Sequence, residues 1–78
     1  MKTNESALNL TPISDAARAQ LREVRAAGGN LTIPASFKAR SLAQELKKAG
    51  YVQIGTSGYD LRLTGMGQAY LDRLMRAH

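Results

Sequence analysis

The sequence contains no cysteine, and its single histidine is the last residue, His78. Without cysteine the chain can form neither a disulfide framework nor a thiolate metal site. Its six Asp and Glu residues are scattered singly, so neither a carboxylate pair nor a metal cluster is indicated. A terminal histidine is not held in a cleft, as acid–base catalysis requires. We therefore predict that the chain is not an enzyme and needs no cofactor.

Long apolar runs are also absent. The first residues, MKTNESALNLT, have neither the basic start nor the apolar centre of a signal peptide. The expectation is a cytoplasmic protein that does not associate with a membrane. The 78 residues suffice for one small domain without a deep pocket. Residues 1–10 show no hydrophobic periodicity, which predicts a mobile tail before a single domain at 11–78.

The first predicted helix, α1 (12–27), has two candidate N-caps, Thr11 and Ser14. The glycine pair that follows it ends the helical pattern. Residues 30–33 then alternate polar and apolar, which predicts a short strand, β1. The buried face of α1 is predicted from apolar residues that recur at every third or fourth position: Ile13, Ala17, Leu21 and Val24.

A second helix, α2, is predicted at 35–49, and its start allows two interpretations. In one, a single helix begins near Ala35 and buries a seam that includes Leu42. In the other, a short support helix ends before Ser41, which caps a new helix. Phe37 separates them, because a single helix turns it about 140° from Leu42 whereas a break buries it. We favour the single helix, in which an exposed Phe37 indicates a binding residue.

The next stretch predicts a β-hairpin. Gly50 follows two lysines and supplies the left-handed residue that ends α2. Residues 51–54 and 59–63 both alternate polar and apolar, which predicts strands β2 and β3. The four residues between them, 55–58, form the predicted hairpin loop.

The last predicted helix, α3 (65–77), begins at Thr64 as its N-cap. Leu71 and Met75 extend its apolar surface beyond the predicted inward arc. Either α1 covers both sides of that surface, or the terminal helices form a homodimer contact. The predicted inward arc consists of Met66, Ala69, Tyr70, Arg73 and Leu74.

The order of helix, hairpin and helix across residues 41–71 resembles the second half of a winged helix-turn-helix DNA-binding domain. The phrase LTGMGQAYL within it is similar to the Leu-Thr-x-x-Gly-x-x-Tyr-Leu pattern that often follows the hairpin, or wing, of that family. The resemblance covers about residues 12–77. It implies an α+β, mainly helical, winged-helix fold and a small transcriptional regulator of bacterial or phage type. The short stretch 34–40 departs from the family, which usually has a full support helix there.

The charge of the chain predicts a polyanionic partner. The net charge is +5, and residues 34–64 carry five Lys and Arg against two Asp and Glu. On the outer side of α2, Arg40, Ser41 and Gln44 are the predicted base contacts, because Arg and Gln bind guanine and adenine edges bidentately. The other DNA-binding candidates are three lysines of α2 and, as the resemblance implies, three wing residues: Lys38, Lys47, Lys48, Thr56, Ser57 and Arg62.

Two hypotheses for the function follow. In the first, the protein binds double-stranded DNA, with or without sequence specificity, by placing α2 in the major groove. In the second, the same scaffold is an adaptor, subunit or small inhibitor that binds an acidic protein and does not bind DNA. The short stretch before α2 and a wing tip without Lys or Arg favour the second hypothesis. Its candidate contacts are Phe37, Leu71 and Met75.

Overall fold

The computed structural model describes residues 10–76, with side chains through residue 74. Within this range, three helices and three strands follow one another in the predicted order, and most of their residues are helical. None of these helices is long and apolar enough to cross a membrane. The element bounds are α1 (Asp15–Ala26), β1 (Asn30–Thr32), α2 (Phe37–Ala49), β2 (Val52–Ile54), β3 (Asp60–Leu63) and α3 (Gly65–Arg76).

The three strands form one antiparallel sheet with β3 in the centre, in the order β1-β3-β2. Leu61 of β3 pairs with Leu31 on one side and with Ile54 on the other, so one sheet face is an apolar row directed at the helices. The opposite face is polar, because Arg62 lies between Asn30 and Gln53 in the same register. The predicted alternation of inward and outward residues in β2 and β3 is confirmed.

Helix α1 begins at Asp15, three residues later than predicted. Of the two candidate caps, Ser14 is the one used, since its hydroxyl accepts a hydrogen bond from the amide of Ala17 at 3.1 Å. The backbone carbonyl of Thr11 instead accepts a hydrogen bond from the hydroxyl of Tyr51. Residues 1–9 of the predicted tail lie outside the described range, and Leu10 is half-buried against the core. The predicted buried residues in the helix are confirmed: Ala17, Leu21 and Val24.

Helix α2 is a single helix that begins at Phe37, two residues after the predicted start. Ser36 is its N-cap and accepts a hydrogen bond from the amide of Ala39 at 3.1 Å. The interpretation with a new helix at Ser41 is wrong, because Ser41 lies inside the continuous helix. The helix ends at Gly50, whose φ of 85° is left-handed, and the paired hydrogen bonds of a Schellman motif close it.

Helix α3 is attached to the end of α2 through its own N-terminus. The hydroxyl of Thr64 accepts from the amide of Gly67 at 3.0 Å, as expected of an N-cap, and donates to the carbonyl of Gly50 at 2.7 Å. A side chain at Gly67 would lie 2.3 Å from the carbonyl oxygen of Tyr51, so only glycine permits this approach. The rings of Tyr51 and Tyr70 then stack at 4.7 Å.

The predicted inward arc of α3 is partly wrong. Met66, Ala69 and Arg73 are exposed, whereas the helix buries Gly67, Tyr70 and Leu71. A hydrophobicity pattern gives glycine no weight, yet the close approach at Gly67 sets which side of α3 faces the core.

Leu71 is 1 % exposed, so its predicted role as a protein contact is wrong. The side chain of Met75, the other candidate on α3, lies outside the described residues. Helix α1 reaches α3 through an ion pair, in which Nη1 of Arg25 is 3.1 Å from a carboxylate oxygen of Asp72. A homodimer through the terminal helices stays a prediction. Of the two apolar residues proposed for its contact, Leu71 is buried within the fold.

Candidate nucleic-acid interface

The side of α2 that faces away from the core is the candidate site. The helix is amphipathic, since Ala43, Leu46 and Ala49 are buried on its inner side. Exposed residues recur on the opposite side with spacings of three and four, which aligns them along the helix. We call this set the outer stripe of α2: Phe37, Arg40, Ser41, Gln44, Lys47 and Lys48.

The hairpin loop lies against the N-terminal half of the outer stripe. Gly58 of the loop lines a shallow depression together with Phe37, Arg40, Ser41 and Gln44. The structure thus brings the three predicted base contacts together at one end of α2, beside the loop.

Arg40 is oriented by an aromatic ring. Its guanidinium carbon lies 5.8 Å from the ring centroid of Tyr59, a cation–π distance. Tyr59 is half-buried at the end of the hairpin loop, so this contact places the guanidinium of Arg40 beside the loop. The alternation of residues 59–63 predicts only that Tyr59 is a strand residue. The one signal for its role was an aromatic residue next to the loop.

The only acidic residue of α2, Glu45, is bound to the fold. Its carboxylate accepts hydrogen bonds from the amide of Ser14 at 2.7 Å and from the hydroxyl of Ser14 at 2.9 Å. It therefore sits at the N-terminus of α1, where the helix dipole favours a negative charge. Among the described residues, Arg40, Lys47 and Lys48 form no ion pair. The outer stripe thus presents cations that no carboxylate of the described fold neutralises.

Ser57 and Thr56, the predicted DNA contacts at the loop tip, differ in whether their hydroxyls are used within the loop. The hydroxyl of Ser57 accepts from the amide of Tyr59 at 3.1 Å and lies 3.4 Å from a carboxylate oxygen of Asp60, so it closes the loop internally. Gly58 completes this turn with a φ of 89°. Thr56 is also exposed, and the hydrogen bonds that close the loop use the hydroxyl of Ser57 and not that of Thr56.

Two further candidates lie apart from the outer stripe. Arg62 is on the polar face of the sheet, where it shares a depression with Thr56, Asn30 and Gln53. Lys38 lines a separate groove between α1, β1 and α2. The predicted DNA-binding residues are therefore divided among three surfaces. Most of them lie on the outer stripe of α2.

The remaining chemistry of the described range is limited. No group of three or more His, Cys, Asp or Glu side chains between residues 10 and 74 is placed to hold a metal ion. Comparisons of the chain with protein-family models, with curated proteins and with solved structures find no match.

Proposed function

We propose that this protein is a small winged-helix transcriptional regulator that binds double-stranded DNA through the outer stripe of α2. The observation that carries the proposal is the composition of that stripe. Groups that bind base edges occupy its N-terminal half, two lysines occupy its C-terminal turn, and none of these cations is in an ion pair within the described fold. The order of helix, hairpin and helix supports the same assignment.

The dimensions of α2 suit this role. A helix with side chains is about 10–12 Å across, and the major groove of B-DNA is about 12 Å wide. Arg40 and Gln44 are four residues apart, which separates them by about 6 Å along the helix, or roughly two base-pair steps. Their planar side chains would bind guanine and adenine, respectively, at nearby positions.

The lysines and the loop would hold the backbone of the duplex. Lys47 and Lys48 lie in the last turn of α2, about 15 Å from Phe37 along the helix axis, where a groove-bound helix meets a phosphate strand. Thr56 is exposed on the hairpin loop, whose Gly58 lies beside the other end of the stripe. Contacts at both ends would fix the register of α2 without determining the sequence bound.

The test is fluorescence anisotropy with a random-sequence duplex at several salt concentrations. Wild-type affinity should fall steeply with salt, and changing both Lys47 and Lys48 to alanine should lower the log–log slope by about two. The charge-matched control changes Arg22 and Arg73, which are exposed on α1 and α3. An unchanged slope in the lysine variant, or an equal loss in the control, would contradict the proposal.

One observation favours the second candidate function, an interaction module for an acidic protein. Phe37 is 87 % exposed among basic residues, and aromatic and Arg side chains are common in protein-binding hot spots. A pull-down with the full chain tests it, with Phe37→Ala as the disrupting variant. One stable acidic partner, lost in that variant and accompanied by no salt-sensitive duplex binding, would replace the DNA-binding proposal.

A further inference from the structure

Phe37 is the least explained side chain of the outer stripe. It is 87 % exposed, while Met66, the other exposed large apolar residue between positions 10 and 74, is only 46 % exposed. Phe37 is the first residue of α2, directly after the Ser36 cap, and it contributes nothing to the buried core. The fold therefore gives no reason for an aromatic residue at this position.

Its neighbours indicate what the ring is for. Phe37 lies four residues before Ser41 and seven before Gln44, so all three occupy one line along the helix. With Arg40 they surround the same depression beside Gly58. Phe37 thus belongs to the base-contacting end of the stripe and does not form a separate apolar patch.

We propose that Phe37 contacts the 5-methyl group of a thymine and so selects an A·T pair at one position of the site. This inference rests on the proposed function. In the major groove, the edges of the bases carry hydrogen-bond donors and acceptors, and the thymine methyl is the apolar exception. A phenyl ring forms no hydrogen bonds, so it gains by covering the methyl and loses by covering unpaired polar groups.

The helix geometry also sets an expected spacing. Seven residues separate Phe37 from Gln44, which is about 10 Å along the helix axis, or roughly three base-pair steps. If Gln44 binds an adenine, the thymine contacted by Phe37 should lie about that far from it. Arg40 lies between them and would contact an intervening base pair.

The experiment replaces single thymines by deoxyuridine, which removes the methyl and leaves base pairing unchanged. A preferred duplex is first selected from a random library with the full wild-type chain. Each thymine is then replaced in turn, and affinity is measured by anisotropy. At one position the wild type should lose about fourfold, the size expected for one apolar carbon. Phe37→Ala should bind the thymine and deoxyuridine duplexes equally, and Phe37→Leu should keep part of the difference.

The control variant is Met66→Ala, which removes an exposed apolar side chain outside the stripe and should keep the full methyl dependence. A flat thymine scan with intact salt-sensitive binding overturns this inference alone. Absence of salt-sensitive duplex binding overturns both it and the proposed function. A Phe37→Ala variant that binds every duplex like the wild type also overturns the inference, and loss of a protein partner in that variant would assign Phe37 to the partner.

Discussion

Residues 63–71, which we call the closing segment, and the outer stripe of α2 contrast in how their side chains are used. In the closing segment, Thr64 binds the carbonyl of Gly50, Gly67 lies against the backbone of Tyr51, and Tyr70 stacks on the Tyr51 ring. In the outer stripe, only Arg40 has a partner among the described side chains, the ring of Tyr59.

Because of this contrast, what the family resemblance implies about the fold has to be distinguished from what it implies about DNA binding. The phrase LTGMGQAYL suggested a DNA-binding family, but its Leu, Thr, Gly and Tyr positions are occupied in fixing the hairpin and α3 to the end of α2. The phrase therefore indicates how the fold is held together, and it gives no evidence of DNA binding. The side chains that bear on DNA binding are those of the outer stripe, because the fold does not need them.

The largest effect is expected when the closing segment is broken at Gly67. Gly67→Ala would place a carbon 2.3 Å from the Tyr51 carbonyl oxygen, and backbone must move to relieve it. We expect a loss of at least about 2 kcal/mol in the free energy of unfolding, measured by denaturant titration. The control, Gly65→Ala, meets nothing within 4 Å and should change stability by less than about 0.5 kcal/mol. Equal effects would show that the close approach is not what fixes α3.

The pH dependence of stability tests the packing of the closing segment against Tyr51. Burial, together with the neighbouring Tyr70, raises the pKa of the Tyr51 hydroxyl above its ordinary 10.0. The folded chain then holds this proton more tightly than the unfolded chain, so stability present below pH 10 should be lost as pH rises through the folded pKa.

Tyr51→Phe should lack this alkaline loss and, at neutral pH, should cost about 1 kcal/mol for the hydrogen bond to Thr11. Unfolding free energies measured from neutral pH to beyond pH 10.0 provide the comparison. A Tyr51→Phe curve parallel to that of the wild type would refute this account of the buried hydroxyl.

Glu45 lies on α2 beside the outer stripe, but its carboxylate contributes to the fold because it is hydrogen-bonded to Ser14. Glu45→Ala removes two hydrogen bonds to Ser14 at the start of α1 and should cost about 1 kcal/mol of unfolding free energy. The exposed Glu23 is the matched control, and Glu23→Ala should leave stability nearly unchanged. If the two variants are equally stable, the carboxylate does not anchor α1.

The smallest effect is expected from the ring under Arg40. Tyr59→Leu removes the cation–π contact, worth about 0.5–1 kcal/mol, so duplex affinity should fall about twofold to fivefold. Tyr59→Phe keeps the ring and should bind like the wild type. Both are measured by anisotropy, after thermal unfolding has shown that the variants are folded. An affinity loss in Tyr59→Phe equal to that in Tyr59→Leu would point to the hydroxyl instead of the ring.

Local chemistry made most of the fold predictable. The alternation in β2 and β3, the left-handed Gly50 and the Thr64 cap each follow from short-range rules, and all three are confirmed. The buried side of α3 was not predictable in this way. It depends on a glycine that contacts a backbone distant in sequence, and no periodicity of apolar residues reports such a contact.

The side of α2 that carries the candidate site was predictable from the sequence, but the position of the other candidate residues relative to it was not. Helical spacing alone placed Arg40, Ser41 and Gln44 on the outer side of α2. Whether Phe37 joins them depended on where the helix begins, which the Ser36 cap decides. The separation of Arg62 from the stripe follows from the sheet register, and the position of Tyr59 beside Arg40 follows from the loop.

Chemical-shift mapping tests the central claim most directly. The isotope-labelled full chain is titrated with duplex DNA, and the backbone amide shifts are followed. The largest shifts should fall on α2 between residues 37 and 48 and on the hairpin loop at 55–59, with the closing segment nearly unchanged. Shifts concentrated on α1, α3 or the closing segment, or no shifts at concentrations where a basic surface should bind, would contradict the account.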